Sequence, residues 1–128
     1  MPNYQVGVFA TTGKNSDKVI LVTSRTGERW IFPKGNTEKG RSDRKVAEEE
    51  ALEEAGIIGT LKSGYTEFEV SYGETKYLRL YQMKVKKLLD KYPESKERKR
   101  AVLTMEEAYK RLGPDLQKCL KKLAQKHL

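Results

Sequence analysis

Between Ser42 and Gly56 the chain reads SDRKVAEEEALEEAG, a run opened by a helix-starting side chain and closed by a helix-stopping glycine. Ser42 is the expected N-cap, Asp43 to Ala55 the helix, and Gly56 its stop. Five of the seven residues from Glu48 to Glu54 are glutamates. Glu50 and Glu54 stand at i,i+4, and Glu50 and Glu53 at i,i+3, so three carboxylates crowd one side of the helix. Like charges at that spacing each cost roughly 0.2–0.5 kcal/mol on an exposed helix, and more where water is excluded. Something has to compensate them. One reading is solvent together with Lys45 and nearby basic side chains, since acidic helix faces are commonly just solvated. The other is a hard divalent cation, Mg2+ or Mn2+, which takes carboxylate oxygens and leaves its other positions to water or phosphate.

Strand patterns flank this helix on both sides. Tyr4, Val6, Val8 and Ala10 alternate with Gln5, Gly7, Phe9 and Thr11, and Val19 to Arg25 reads as a second, more buried strand. A short apolar piece, Trp30 to Phe32, runs into Pro33 and then KGNTEKGRS, which has no periodicity and reads as a loop. After Gly56, Thr66, Phe68, Val70 and Tyr72 share one face, Gly73 marks a turn, and Tyr77 to Leu89 alternate again. Lys91 to Arg100 is polar and Pro-containing, a further loop. Thr104 to Glu107 is a capping-box pattern opening a short helix. Gly113-Pro114 ends it and starts a last helix with Leu116, Cys119, Leu120 and Leu123 on one stripe. The order strand, strand, helix, strands, helices predicts an α+β domain on a mixed or largely antiparallel sheet, spanning 1–128 as one unit.

Composition narrows the chemistry. The 128 residues hold one cysteine, Cys119, and one histidine, His127, close to the C-terminus in a position expected to fray. Disulfides, cysteine zinc clusters, Ser-His-Asp triads and phosphohistidine intermediates are thereby disfavoured. Acid–base work would fall to carboxylates, lysines, tyrosines or metal-bound water. The formal net charge of +8 favours anionic partners. No apolar run approaches the ~20 residues of a membrane span, and no basic leader precedes an apolar stretch. The expected setting is soluble, reducing and cytoplasmic, without a membrane partner.

Placed in order, Trp30-Ile31-Phe32-Pro33-Lys34-Gly35, the glycine-bearing loop, Ser42, the glutamate helix and Gly56-Ile57 resemble the box of the Nudix hydrolase family, G-x5-E-x7-R-E-U-x-E-E-x-G-U, with U apolar. Gly35 is then the first glycine, and Glu50, Glu53, Glu54, Gly56 and Ile57 hold the later fixed positions. Ala51 takes the first U and is smaller than usual. Two positions depart from the pattern: Arg41 stands where the family has Glu, and Glu49 where it has Arg. The signs are exchanged, and the expectation is a structural bridge of reversed polarity. The rival reading is a binding-only relative. VILVTSRTGERWIFPKG and YPESKERKRAVLTMEEAYKRL are similar to the diadenosine polyphosphate and diphosphoinositol polyphosphate phosphohydrolase branch, although the aromatic bulk typical near Ala101-Val102 is missing.

The resemblance implies a Nudix-like α/β/α sandwich with a mixed β-sheet between helices, and a Mg2+- or Mn2+-dependent enzyme cutting a phosphoanhydride in a polyanionic nucleotide or inositol polyphosphate. Glu50 and Glu54 would hold the metal, with Glu53 and the backbone carbonyl near Gly35 as further ligands. Glu53 is the candidate base, a role it could exchange with Glu50. Lys34, Arg25, Arg29, Arg98 and Arg100 are candidate phosphate contacts, Arg98 and Arg100 because an arginine fork suits phosphate. Lys84, Lys86, Lys87 and Lys91 are read instead as guards of a sheet edge. Trp30, Tyr77 and Tyr81 are read as packing. Removal of pyrophosphate from nucleoside triphosphates or RNA 5′ ends is a second enzymatic reading, and a silent phosphate- or RNA-binding module a third. A generic nucleic-acid binder lacks any RNP run, zinc signature or recognition helix. The expected state is a monomer or weak homodimer.

Overall fold

The computed structural model describes residues 2–71 and 73–125; Tyr72 and His127, considered above, lie outside them. The elements run β1 Tyr4–Thr12, a 3-10 turn Lys14–Ser16, β2 Lys18–Thr23, β3 Trp30–Ile31, β4 Lys34–Asn36, α1 Asp43–Ala55, β5 Ile57–Leu61, β6 Thr66–Glu69, β7 Tyr77–Leu88, β8 Arg100–Thr104, α2 Met105–Arg111 and α3 Pro114–Leu123.

All eight strands join one mixed sheet. β1 and β7 pair in parallel from Tyr4 opposite Tyr77 to Thr11 opposite Lys84, and every other pairing is antiparallel. The helices complete an α+β sandwich around it. Val19, Ile20, Leu21 and Val22 of β2 are fully buried, which is why that strand is a continuous apolar run rather than an alternating one. β1 alternates in sequence, yet Gln5 to Ala10 are all buried. Its polar-looking face is covered too, with Phe9 packing edge-on against Phe32. The small side chains Ala47, Ala51 and Ala55, all fully buried, form the core-facing stripe of α1 and let its backbone approach β1, β4 and β5.

The ends of α1 follow from local chemistry. The Ser42 hydroxyl accepts from the Lys45 amide at 3.1 Å, and Gly56 takes the left-handed conformation, φ 65°, that a residue with a Cβ enters at a cost. At α2, Thr104 Oγ1 accepts from the Glu107 amide at 3.1 Å while the Thr104 amide donates to Glu107 Oε1 at 2.9 Å.

One loop reading is corrected, and a second gives up only its last residue, Arg100, to a strand. Lys34–Asn36 is not loop but β4, pairing with Gln5 to Gly7. The residues beyond the 91–99 connection form β8, which runs the length of β2 from Val22 opposite Arg100 to Lys18 opposite Thr104. Neither is visible locally, because β4 is three residues and β8 leaves Val102 exposed on the strand. Both are strands because a partner edge is presented to them.

Candidate active site

The backbone of β4 and the C-terminal half of α1 meet to form one side of a cleft of about 680 Å3. Residue 35 is where they touch. A Cβ there would run into the Glu50 carboxyl group, so glycine lets the loop lie on the acidic helix with the Glu50 side chain undisplaced. Glu54, one turn further along, is 5% exposed. Its Oε1 accepts the Lys34 amide proton at 3.1 Å, and its Oε2 lies 3.4 Å from Arg98 Nη2.

These two carboxylates are electrostatically coupled. Burial first, and then the Glu54 charge and a hydrogen bond with Glu54, push the Glu50 carboxyl up to about 8; the charges of Glu53 and Glu94 add to this. Burial likewise raises Glu54, against the opposing pull of Arg98 and the Lys34 amide. Lys34 faces the pair. Burial lowers its ammonium pKa, with Glu54 acting in the other direction, and its Nζ donates to Gln5 Oε1 at 2.7 Å. Gln5 in turn donates to Asn36 Oδ1 at 3.0 Å, and Asn36 to Glu74 Oε2 at 3.2 Å. A polar chain thus holds the lysine over the cleft from the buried side of β1.

The other candidate residues separate. Arg25 lines the cleft. Arg29 lines an adjoining apolar alcove of about 170 Å3 with Ile31, Leu78 and Leu116. Arg98 reaches the cleft wall with its guanidinium already committed: Nε donates to Glu94 Oε1 at 2.7 Å and Nη1 to the Thr23 carbonyl at 3.0 Å. Arg100 is not brought to the cleft. Its Nη1 donates to the carbonyls of Ala55 and Leu89 at 2.8 and 2.7 Å, satisfying the C-terminal end of α1. Glu53 is half-buried and does not line the cleft, while its carbonyl accepts the Glu94 amide proton at 2.9 Å. Arg41 is paired with Glu49, and its Nη1 also lies 3.0 Å from Glu38 Oε2.

Sequence reasoning passed over two residues. Glu94 is one, its charge raising both Glu50 and Glu54. Gln5 is the other, a buried polar side chain inside an otherwise apolar strand. The i,i+4 spacing of Glu94 and Arg98 was the available signal for the first; the second had the rule that buried amides need partners.

Among the described residues no three acidic, histidine or cysteine side chains already converge as a metal cage. The donor set nevertheless suits a hard divalent ion: two carboxylates that resist being ionised together, and a backbone drawn against them at Gly35. Added positive charge is what the raised Glu50 and Glu54 lack, since Arg98 is shared with Glu94.

Comparison with known proteins places the family and the fold. The chain is 34% identical over 100 residues to Nudix hydrolase 16, mitochondrial, of Arabidopsis thaliana, covering 71% of this chain and 56% of that protein. It is 33% identical over 100 residues to human diphosphoinositol polyphosphate phosphohydrolase 3-beta, covering 76% and 61%. It thus spans about half the length of the curated relatives it matches. The crystal structure of a C. elegans Ap4A hydrolase binary complex superposes with a TM-score of 0.78 at 19% identity, covering 97% of this chain and 96% of that one, so the fold is shared. The sequence profile of the NUDIX domain matches residues 1–123, taking in the Gly35 loop, the glutamate helix and the sheet that brings them together, and the chain therefore belongs to the Nudix family.

Proposed function

We propose that the chain is a divalent-metal-dependent pyrophosphohydrolase that cuts a phosphoanhydride bond in a dinucleoside polyphosphate, a diphosphoinositol polyphosphate or a related nucleoside diphosphate derivative. The observation that carries this reading is the coupled Glu50–Glu54 pair on the cleft floor, closed by Gly35 and faced by Lys34.

Hydrolysis of a phosphoanhydride needs charge neutralisation on the transferring phosphoryl group, an oriented water and a stabilised leaving group. Glu50 and Glu54, with the carbonyl near Gly35, would hold Mg2+ or Mn2+, which would supply positive charge and lower the pKa of a water there. Lys34, steered by Gln5, and Arg25 grip the phosphates from the cleft lining. Arg98 keeps Glu54 in place rather than reaching for substrate. The water's proton goes to Glu53 or Glu50, and of the two Glu50 is the one that lines the cleft. Arg41 and Glu49 position the helix residue next to Glu50. No helix among the described residues is long and apolar enough to cross a membrane. A cytoplasmic monomer or weak homodimer completes the proposal.

Turnover measured with Mg2+ or Mn2+ on a panel of dinucleoside polyphosphates, diphosphoinositol polyphosphates, nucleoside triphosphates and 5′-triphosphate RNA tests it. The expected result is metal-dependent phosphate release on the first two classes, with Glu54→Gln reducing kcat roughly 10²–10³-fold while the fold survives. Metal-independent binding of these compounds without turnover would replace the enzyme by a binding module.

A further inference from the structure

The positive charge of the chain is not gathered in the cleft. Arg25, Lys34 and Arg98 line it together with Glu38, Glu50, Glu54 and Glu74. Arg98 also lines a second, more open groove of about 520 Å3, bounded by the start of β3, the 90–95 connection, the start of β8 and the end of α2. Here the balance is reversed. Lys99, Arg100 and Arg111 line the groove against a single acid, Asp90.

We propose that this groove is a metal-independent anion site that holds the phosphate groups of a nucleotide or a polyphosphate chain. The guanidinium groups are held in place before any ligand arrives. Arg111 lies 5.1 Å from the centre of the Trp30 ring, and Arg100 5.1 Å from that of Tyr92. Arg100 is anchored further through Nη1 on the Ala55 and Leu89 carbonyls, which leaves Nε and Nη2 for a ligand. Among the described residues no carboxylate comes within ion-pair distance of Lys99, Arg100 or Arg111. Three cations outside ion-pair distance of any described carboxylate, two of them arginines set against aromatic rings, offer charge-assisted donors, fork-shaped in the two arginines, at reduced ordering cost. Phosphate oxygens match that donor set. A carboxylate-bearing ligand would meet fewer of the donors.

Trp30 is the only tryptophan in the chain and lines the groove, so its fluorescence reports occupancy. Titration of the full chain with tripolyphosphate, and separately with ADP, in EDTA is the direct test. A saturable change in Trp30 emission is expected with both probes. Affinity for tripolyphosphate equal to or above that for ADP would assign the site to phosphate groups alone, and tighter ADP binding would assign it to a nucleotide whose base adds to the Trp30–Arg111 stack. In Lys99→Gln/Arg111→Gln the affinity should fall roughly tenfold or more, whereas Lys34→Ala, in the cleft, should leave it unchanged. Because Arg111 also stacks on Trp30, calorimetric titration of the same variants checks that lost fluorescence means lost binding. No binding in EDTA, or binding that follows Lys34 rather than Lys99 and Arg111, would overturn the site. The outcome does not depend on whether the cleft hydrolyses anything.

Discussion

Arg41 and Glu49 are each about one-third exposed, and a pair so placed contributes roughly 0–1 kcal/mol to stability. That is too little to account for a bridge between a loop and the residue next to Glu50 on stability alone. Its value is positional. Arg41→Ala and Glu49→Ala are each expected to lower kcat several-fold with a stability loss below about 1 kcal/mol. The double variant should be no worse than the poorer single, and Arg41→Glu/Glu49→Arg should recover turnover while Arg41→Glu alone should not. A double-mutant cycle on kcat and on urea midpoints reads both; additive losses would dissolve the pair. Arg98 and Arg100 show the opposite lesson about single residues. Both are arginines in the same basic run, but Arg98 is buried between Glu54, Glu94 and the Thr23 carbonyl, and Arg100 is engaged by two carbonyls. Their sequence neighbourhood contains none of these partners except Glu94, so their destinations were not legible in it.

At the scale of elements, α1 is where sequence and structure agree most closely. Ser42, Asp43–Ala55 and Gly56 occupy the cap, helix and stop read from the sequence, because caps are local: each needs one side chain and a backbone within three residues. Ser42→Ala should therefore cost about 1 kcal/mol. Gly56→Ala should cost more, since its Cβ would both force a left-handed backbone and enter the Tyr92 ring. Denaturant unfolding checks the order, and an equal loss at the two positions would contradict it. The capping box of α2 was legible for the same reason. β4 and β8 were not, because a short strand is defined by an edge it cannot carry in its own residues.

Across the whole molecule, ionising Glu50 beside Glu54 opposes folding. With the Glu50 carboxyl raised from 4.5 to about 8, the folded protein holds more protons than the unfolded chain between those values. Stability of the metal-free protein therefore falls as pH rises through that window and levels off above it. Glu50→Gln should melt a few degrees higher than the unmodified chain in EDTA above pH 8, with the difference closing toward pH 4.5. Mg2+ should restore the unmodified chain, by about 2.7 kcal/mol at a hundredfold excess over its Kd, and should do less for the variant. Melting curves across pH with and without metal measure this, and a flat difference would mean that Glu50 is not the titrating group.

What the sequence alone determined is what local chemistry can specify: the span of α1 and its caps, the apolar run of β2, the alternating run of β7, and the spacing that sets Gly35 and the glutamates in one frame. Tertiary structure decided which charges meet. It brought Gln5 to the cleft and Glu94 to Arg98 in the cleft wall, turned Arg100 away from it, and paired β4 and β8 with edges of β1 and β2. A cap is satisfied within a turn of helix, but a charge is assigned by whichever acceptors folding brings within hydrogen-bond reach, and those lie tens of residues away along the chain.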